Sequence, residues 1–119
     1  MSSLIESTFK QLKEHNKKAL IPFLTADFPN RTTFLELLHQ LPKNGANIIE
    51  IGVPFSDPMA DGEVIQKTSE IAINNGFKLS QLLTDIAEFK HQYPTIPIIV
   101  MTYANPIVQY GSKLFAQDA

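Results

Sequence analysis

The sequence predicts an α/β fold in which a parallel sheet is covered by helices, and three observations predict it. Three near-continuous apolar runs of strand length, at residues 19–25, 48–52 and 97–103, lack the polar alternation of a strand with one wet face. Between them lie segments whose apolar residues recur at helical spacing. The two kinds of element succeed one another as strand, helix, strand, helix, strand, the order of parallel strands joined by helical crossovers.

Each element has its own signals. Leu4, Ile5, Phe9 and Leu12 space a short amphipathic helix at the start of the chain. Ala19-Leu20-Ile21-Pro22-Phe23-Leu24-Thr25 reads as the first strand, weakened at Pro22, which has no N–H for a ladder. Asn30 is a helix N-cap for the stripe Phe34, Leu35, Leu37, Leu38 and Leu41, and Pro42 and Gly45 stop that helix. The second strand, Ile48-Ile49-Glu50-Ile51, holds a glutamate. A helix opens just after Asp61 with Val64, Ile65, Thr68, Ile71 and Ala72 on one face, and Asn75-Gly76 closes it. Another opens at Ser80 with Leu82, Leu83, Ile86, Ala87 and Phe89 as its stripe, ending at Tyr93-Pro94. Residues 97–103 form the third strand, Asn105-Pro106 a turn, and Ser112 begins a further helix. Three parallel strands leave two unpaired edges, and the chain stops at Gln117-Asp118-Ala119 where a helix should continue. The expectation is that these residues are the first part of something longer.

Composition excludes several classes of function. The 119 residues suit one small domain with a modest core. A net charge of −2 carries no electrostatic footprint for nucleic acid. Lys10, Lys13, Lys17 and Lys18, interspersed with Glu6 and Glu14, read as a solvated helix face. The absence of cysteine removes disulfides, thiol nucleophiles and thiolate metal sites, as is consistent with a cytoplasmic protein. His15, His39 and His91 show no metal-ligand spacing, so no metal site is expected. Neither a Gly-rich dinucleotide loop nor a Walker loop is present.

The chemistry concentrates around Glu50. An unpaired carboxylate buried in a strand is costly, so one placed there needs a partner, a proton or a task. Desolvation moves such a group toward the working pH of a general acid or base. Side chains alternate along a strand, so Ile21, Phe23 and Thr25 share a face, as do Ile48, Glu50 and Gly52, and Ile99, Met101 and Tyr103. If these faces line one interior, Glu50 shares it with Phe23, Thr25, Met101 and Tyr103 at the carboxyl ends of the strands, where α/β proteins bind ligands. Such an aromatic, apolar pocket with one carboxylate suits a flat aromatic ligand and proton transfer. Periodicity alone reads Met101 as core packing and leaves Phe23 and Tyr103 open between core and pocket. It reads Asp61 as a helix N-cap and Asp57 as an Asx turn.

The run I-E-I-G-V-P-F-S-D-P-M-A-D-G-E-V-I-Q, residues 49–66, resembles the signature of the tryptophan synthase alpha subunit family. P-F-L-T-A-D-F-P, P-I-I-V-M-T-Y-A-N-P-I and a following Y-G agree with it in order and spacing, so the resemblance covers essentially the whole chain. It implies a (β/α)8 barrel, of which residues 1–119 would supply the N-terminal helix and about the first three βα units. A whole barrel takes about 250 residues, so the remaining strands and the phosphate site they build would lie outside these residues. The implied activity is the lyase step of tryptophan biosynthesis, retro-aldol cleavage of indole-3-glycerol phosphate to indole and glyceraldehyde 3-phosphate. By resemblance Glu50 is the acid/base and Asp61 the second carboxylate, holding the indole N–H. Phe23, Thr25, Met101 and Tyr103 match substrate-pocket positions. Pro54, Asp57 and Asn105 would face a partner beta subunit in an alpha2beta2 assembly. The implied alpha chain needs no cofactor; pyridoxal phosphate belongs to the partner. The alternative is a truncated, non-catalytic fragment that only docks on the beta subunit. Two departures stand out: Asp27 where the family has glycine, and Glu63 where it has proline. The dipole of the following helix favours the latter.

Overall fold

A computed structural model describes residues 3–56 and 60–119. The elements run α1 (Leu4–Glu14), β1 (Phe23–Thr25), α2 (Arg31–Gln40), a 3-10 turn (Pro42–Asn44), β2 (Ile49–Gly52), α3 (Glu63–Asn74), α4 (Leu79–Gln92), β3 (Ile98–Met101), α5 (Ala104–Tyr110) and α6 (Ser112–Asp118). The sheet is parallel throughout, in the order β1-β2-β3.

The strands are shorter than their apolar runs. Residues 20–22 follow β2 without joining it as a ladder. The Leu20 carbonyl accepts from Asn47 N–H, and the Pro22 carbonyl accepts from Glu50 N–H at 2.9 Å. Pro22 has nothing to donate in return, so the regular strand starts one residue later. The Asn30 cap forms as expected, its side-chain oxygen accepting from Thr33 N–H at 2.9 Å. Gly45 closes the turn after α2 at φ 97°, a conformation that costs other residues a clash at Cβ. The turn expected at Asn105-Pro106 is instead the first turn of α5. There Pro106 falls where its missing N–H has no intrahelical partner to lose.

The register sets two rows of side chains across the sheet. Phe23, Glu50 and Ile99 stand level, and Thr25, Gly52 and Met101 stand level above them. The intervening row, Leu24, Ile51 and Val100, points the other way. That second face is covered. Ile49 and Ile51 pack with Phe34 and Leu38 of α2 and Leu82 and Phe89 of α4 in one apolar cluster, with Leu24, Ile98 and Val100 against it. Each fully buried side chain of this size contributes about 1.5–3 kcal/mol.

Two helical stripes differ from the apolar pattern. Val64, expected inside, is 75% exposed, while Ser69 is buried. The inward face of α3 therefore includes Ile65, Thr68, Ser69 and Ala72, at i, i+3, i+4 and i+7. On α4 the buried face includes Asp85, 1% exposed, between Leu82 and Phe89. Its charge is met by a bidentate pair from Arg31, with Nη2 donating at 2.7 Å and Nε at 3.1 Å. Gln81 donates to the same carboxylate at 3.1 Å.

Asp27 keeps the turn after β1 in glycine's conformation. Its φ is 57°, in the left-handed region that aspartate tolerates better than most residues. The carboxyl is nonetheless buried, and Oδ1 has no hydrogen-bond partner among the described residues. Burial, and then the nearby Asp85, hold its pKa above the ordinary carboxylate value, against the pull of Arg31.

Candidate functional site

At the carboxyl ends of the three strands lies a cleft of about 330 Å³. Phe23 and Thr25 enter it from β1, and Gly52 and Val53 from β2 and its exit. Met101 and Tyr103 come from β3 and its exit, and Ala60, Asp61, Ile65 and Ser69 from the loop before α3 and α3 itself. Five of the sequence-selected residues, Phe23, Thr25, Asp61, Met101 and Tyr103, therefore meet in one place. Glu50 does not line this cleft. It sits half-buried one row deeper in the same sheet face, level with Phe23 and Ile99.

Glycine at 52 is what lets an aromatic ring lie across the floor. A Cβ built there would come within 2.6 Å of Phe23 Cζ, so the ring occupies the space a side chain would need. On the far wall, the Tyr103 ring packs against Phe55 with centroids 5.3 Å apart. Its hydroxyl accepts from Ala60 N–H at 2.8 Å. That contact fixes the backbone immediately before Asp61.

Asp61 does not cap α3. Gly62 is the N-cap, and it has no side chain with which to bond the first helical amides. The half-buried Asp61 carboxylate is thus left for the cleft. Among the described residues neither Glu50 nor Asp61 takes part in an ion pair. Thr25 is placed differently from a simple pocket hydroxyl. Thr68 donates to the Ile65 carbonyl at 2.9 Å, so the 2.9 Å contact between Thr25 and Thr68 uses the Thr25 proton. Thr25 ties β1 to α3 while its body faces the cleft.

The partner-facing candidates separate. Pro54 is buried on the wall of a second cleft of about 480 Å³, with Phe55, Ile73, Phe77 and Tyr110. Asn105 is exposed on α5, and Asp57 lies outside the described residues. Sequence reasoning missed Ser69 and Thr102 as lining residues. A helical stripe that counted hydroxyl residues beside apolar ones would have found Ser69; nothing distinguished Thr102. No cluster of three or more metal-ligating side chains occurs among the described residues. Nor, among them, is any helix long and apolar enough to cross a membrane.

Comparison with known proteins places this geometry. The family profile described as "Tryptophan synthase alpha chain" matches residues 9–119. The tryptophan synthase alpha chain of Polynucleobacter asymbioticus is 48% identical over 117 residues, which are 98% of this chain and 44% of that one. That of Burkholderia multivorans is 47% identical over 98% of this chain and 43% of its own. The chain thus spans less than half the length of these relatives. The crystal structure of tryptophan synthase subunit alpha from Legionella pneumophila superposes with a TM-score of 0.94 at 42% identity, covering 99% of this chain and 45% of that one. Tryptophan synthase from M. tuberculosis, in its open form, superposes at 0.89 with 32% identity. The three strands and their helices are therefore part of a (β/α)8 barrel fold.

Proposed function

Because the chain belongs to the tryptophan synthase alpha chain family, we propose that the protein carrying it cleaves indole-3-glycerol phosphate to indole and glyceraldehyde 3-phosphate. The single observation that supports this reading most is the cleft itself. An aromatic floor and a carboxylate level with it share one sheet face, and a second carboxylate stands at the rim on the loop before α3, all at the carboxyl end of parallel strands.

In the proposed mechanism the flat indole ring lies against Phe23 and Tyr103. Asp61 accepts the indole N–H and offsets positive charge as the ring gains a proton. Glu50 serves the proton transfers, which balance. Indole C3 receives a proton, the bond from C3 to the glycerol chain breaks, and the hydroxyl on the adjacent glycerol carbon loses its proton to become the aldehyde. Two carboxylates in unlike surroundings suit such a division, one exchanging protons and the other staying anionic. These steps are proton transfers and need no cofactor of the chain's own. The phosphate would be held by residues outside this chain. Indole would pass to a pyridoxal-phosphate beta subunit in the cytoplasm, across a surface that includes Pro54, Asp57 and Asn105.

The test is Glu50→Gln in the complete gene product. Loss of a general acid/base costs roughly 10²–10⁴-fold in turnover, with folding intact by circular dichroism. Indole release near the wild-type rate would sink the assignment.

A further inference from the structure

Asp61 is held by bonds that involve two residues with no assigned role, Gln66 and Thr68. The amide of Gln66, on the first turn of α3, donates to the Asp61 carbonyl at 2.8 Å. Two residues on, Thr68 receives the Thr25 hydroxyl at 2.9 Å and so fastens α3 to the end of β1. On the other side, Ala60 N–H is anchored by the Tyr103 hydroxyl at 2.8 Å. The loop before α3 lacks a side-chain cap, so these contacts stand in for one. Neither Gln66 nor Thr68 lines the cleft.

We propose that Gln66 and Thr68 are positioning residues that hold the Asp61 carboxylate against the cleft, acting through the backbone of Asp61 and through the docking of α3 on β1. The proposal rests on the lyase reading for its catalytic consequence, though not for the hold itself. The physical reason is the sensitivity of proton and charge transfer to placement. An error of about 1 Å made by a remote change costs up to ~100-fold in rate. A carboxylate on a short loop keeps such a tolerance only if the loop is bonded on both sides.

The experiment uses the complete gene product with Gln66→Leu, Thr68→Val and Thr68→Ser. Leucine and valine keep bulk and remove the hydrogen-bonding group; serine restores the hydroxyl. We expect Gln66→Leu and Thr68→Val each to lower kcat roughly tenfold per folded molecule while KM for indole-3-glycerol phosphate stays within about twofold. Thr68→Ser should recover most of kcat. In the two impaired variants the order parameter of the Asp61 amide, read by nitrogen-15 relaxation, should fall from the rigid range near 0.85 toward about 0.6. A merely structural role would lower Tm and leave both quantities unchanged once the folded fraction is counted. Unchanged kcat in Gln66→Leu and Thr68→Val overturns the proposal. If the unsubstituted protein shows no turnover of indole-3-glycerol phosphate, or Glu50→Gln keeps it, the lyase reading has failed instead. The amide order then decides alone: a rigid Asp61 in both variants overturns the hold, and a loosened one supports it.

Discussion

The two faces of the sheet are built from the same three strands and serve opposite purposes. On one face Leu24, Ile51 and Val100 meet a shell of helix side chains that includes Phe34, Leu38, Leu82 and Phe89. Both Ile51 and Phe89 are fully buried there. On the other face Phe23, Glu50, Gly52 and Met101 remain half-buried or exposed, and Met101 is 48% exposed. The difference teaches where stability and chemistry reside. Apolar area removed from water holds the strands in register. The register then carries side chains on the opposite face to fixed places without using them as core.

Substitutions on each face should separate the two purposes. The largest effect expected is that of Glu50→Gln, roughly 10²–10⁴ in turnover, with little change in Tm because the side chain lies outside the apolar cluster. Close behind it, Phe89→Ala should cost about 3–5 kcal/mol of stability, measured by denaturant unfolding. Its activity per folded molecule should stay near wild type. If Phe89→Ala impaired turnover beyond its unfolded fraction, the two faces would not be independent.

Gly52→Ala probes the contact between the rows. The new Cβ would meet Phe23 Cζ at 2.6 Å, so the ring must move. Overpacking of this kind costs about 1–3 kcal/mol, and KM should rise with it. Phe23→Leu in the same chain should relieve the strain, so the two changes should be non-additive; simple additivity would refute the contact.

The smallest effect expected is at Asp27, on the border of the covered face. Its pKa is raised in the folded state by burial and by Asp85. A carboxyl so shifted contributes stability that is fully present below its unfolded value, near 3.8, and is lost as pH rises through its folded value. Asp27→Asn should therefore raise Tm at neutral pH, and the gain should disappear in acid. Asparagine also accepts the left-handed backbone, so the comparison isolates the charge. A gain that grew as pH fell would reverse the sign and reject the account.

Much of this architecture was legible in the chain. Three apolar runs and their intervening stripes identified the three described strands and the helices α1 to α4, and the alternation of side chains correctly put Phe23, Glu50 and Ile99 on one face. What was illegible has physical causes. Val64 matched an apolar stripe and is exposed, because periodicity marks a face without saying how wide the contact is. Asp85 was invisible as a core residue because its burial depends on Arg31, 54 positions earlier. Asn105-Pro106 read as a turn and proved helical, because proline punctuates a helix start as readily as it breaks one.

By itself the sequence determined the order of elements, the parity of each strand and the motif that names the family. All of these are local or repeat along the chain. Only the tertiary structure decided that Asp61 faces a cleft rather than capping α3, and that Thr25 spends its proton on Thr68. It alone decided that Glu50 stays off the cleft wall, level with Phe23 and one row below Thr25, Gly52 and Met101. Each depends on groups more than ten positions apart meeting within hydrogen-bond or van der Waals reach. Such meetings are set by strand register and by how α3 docks on the sheet, and no spacing along the chain encodes them.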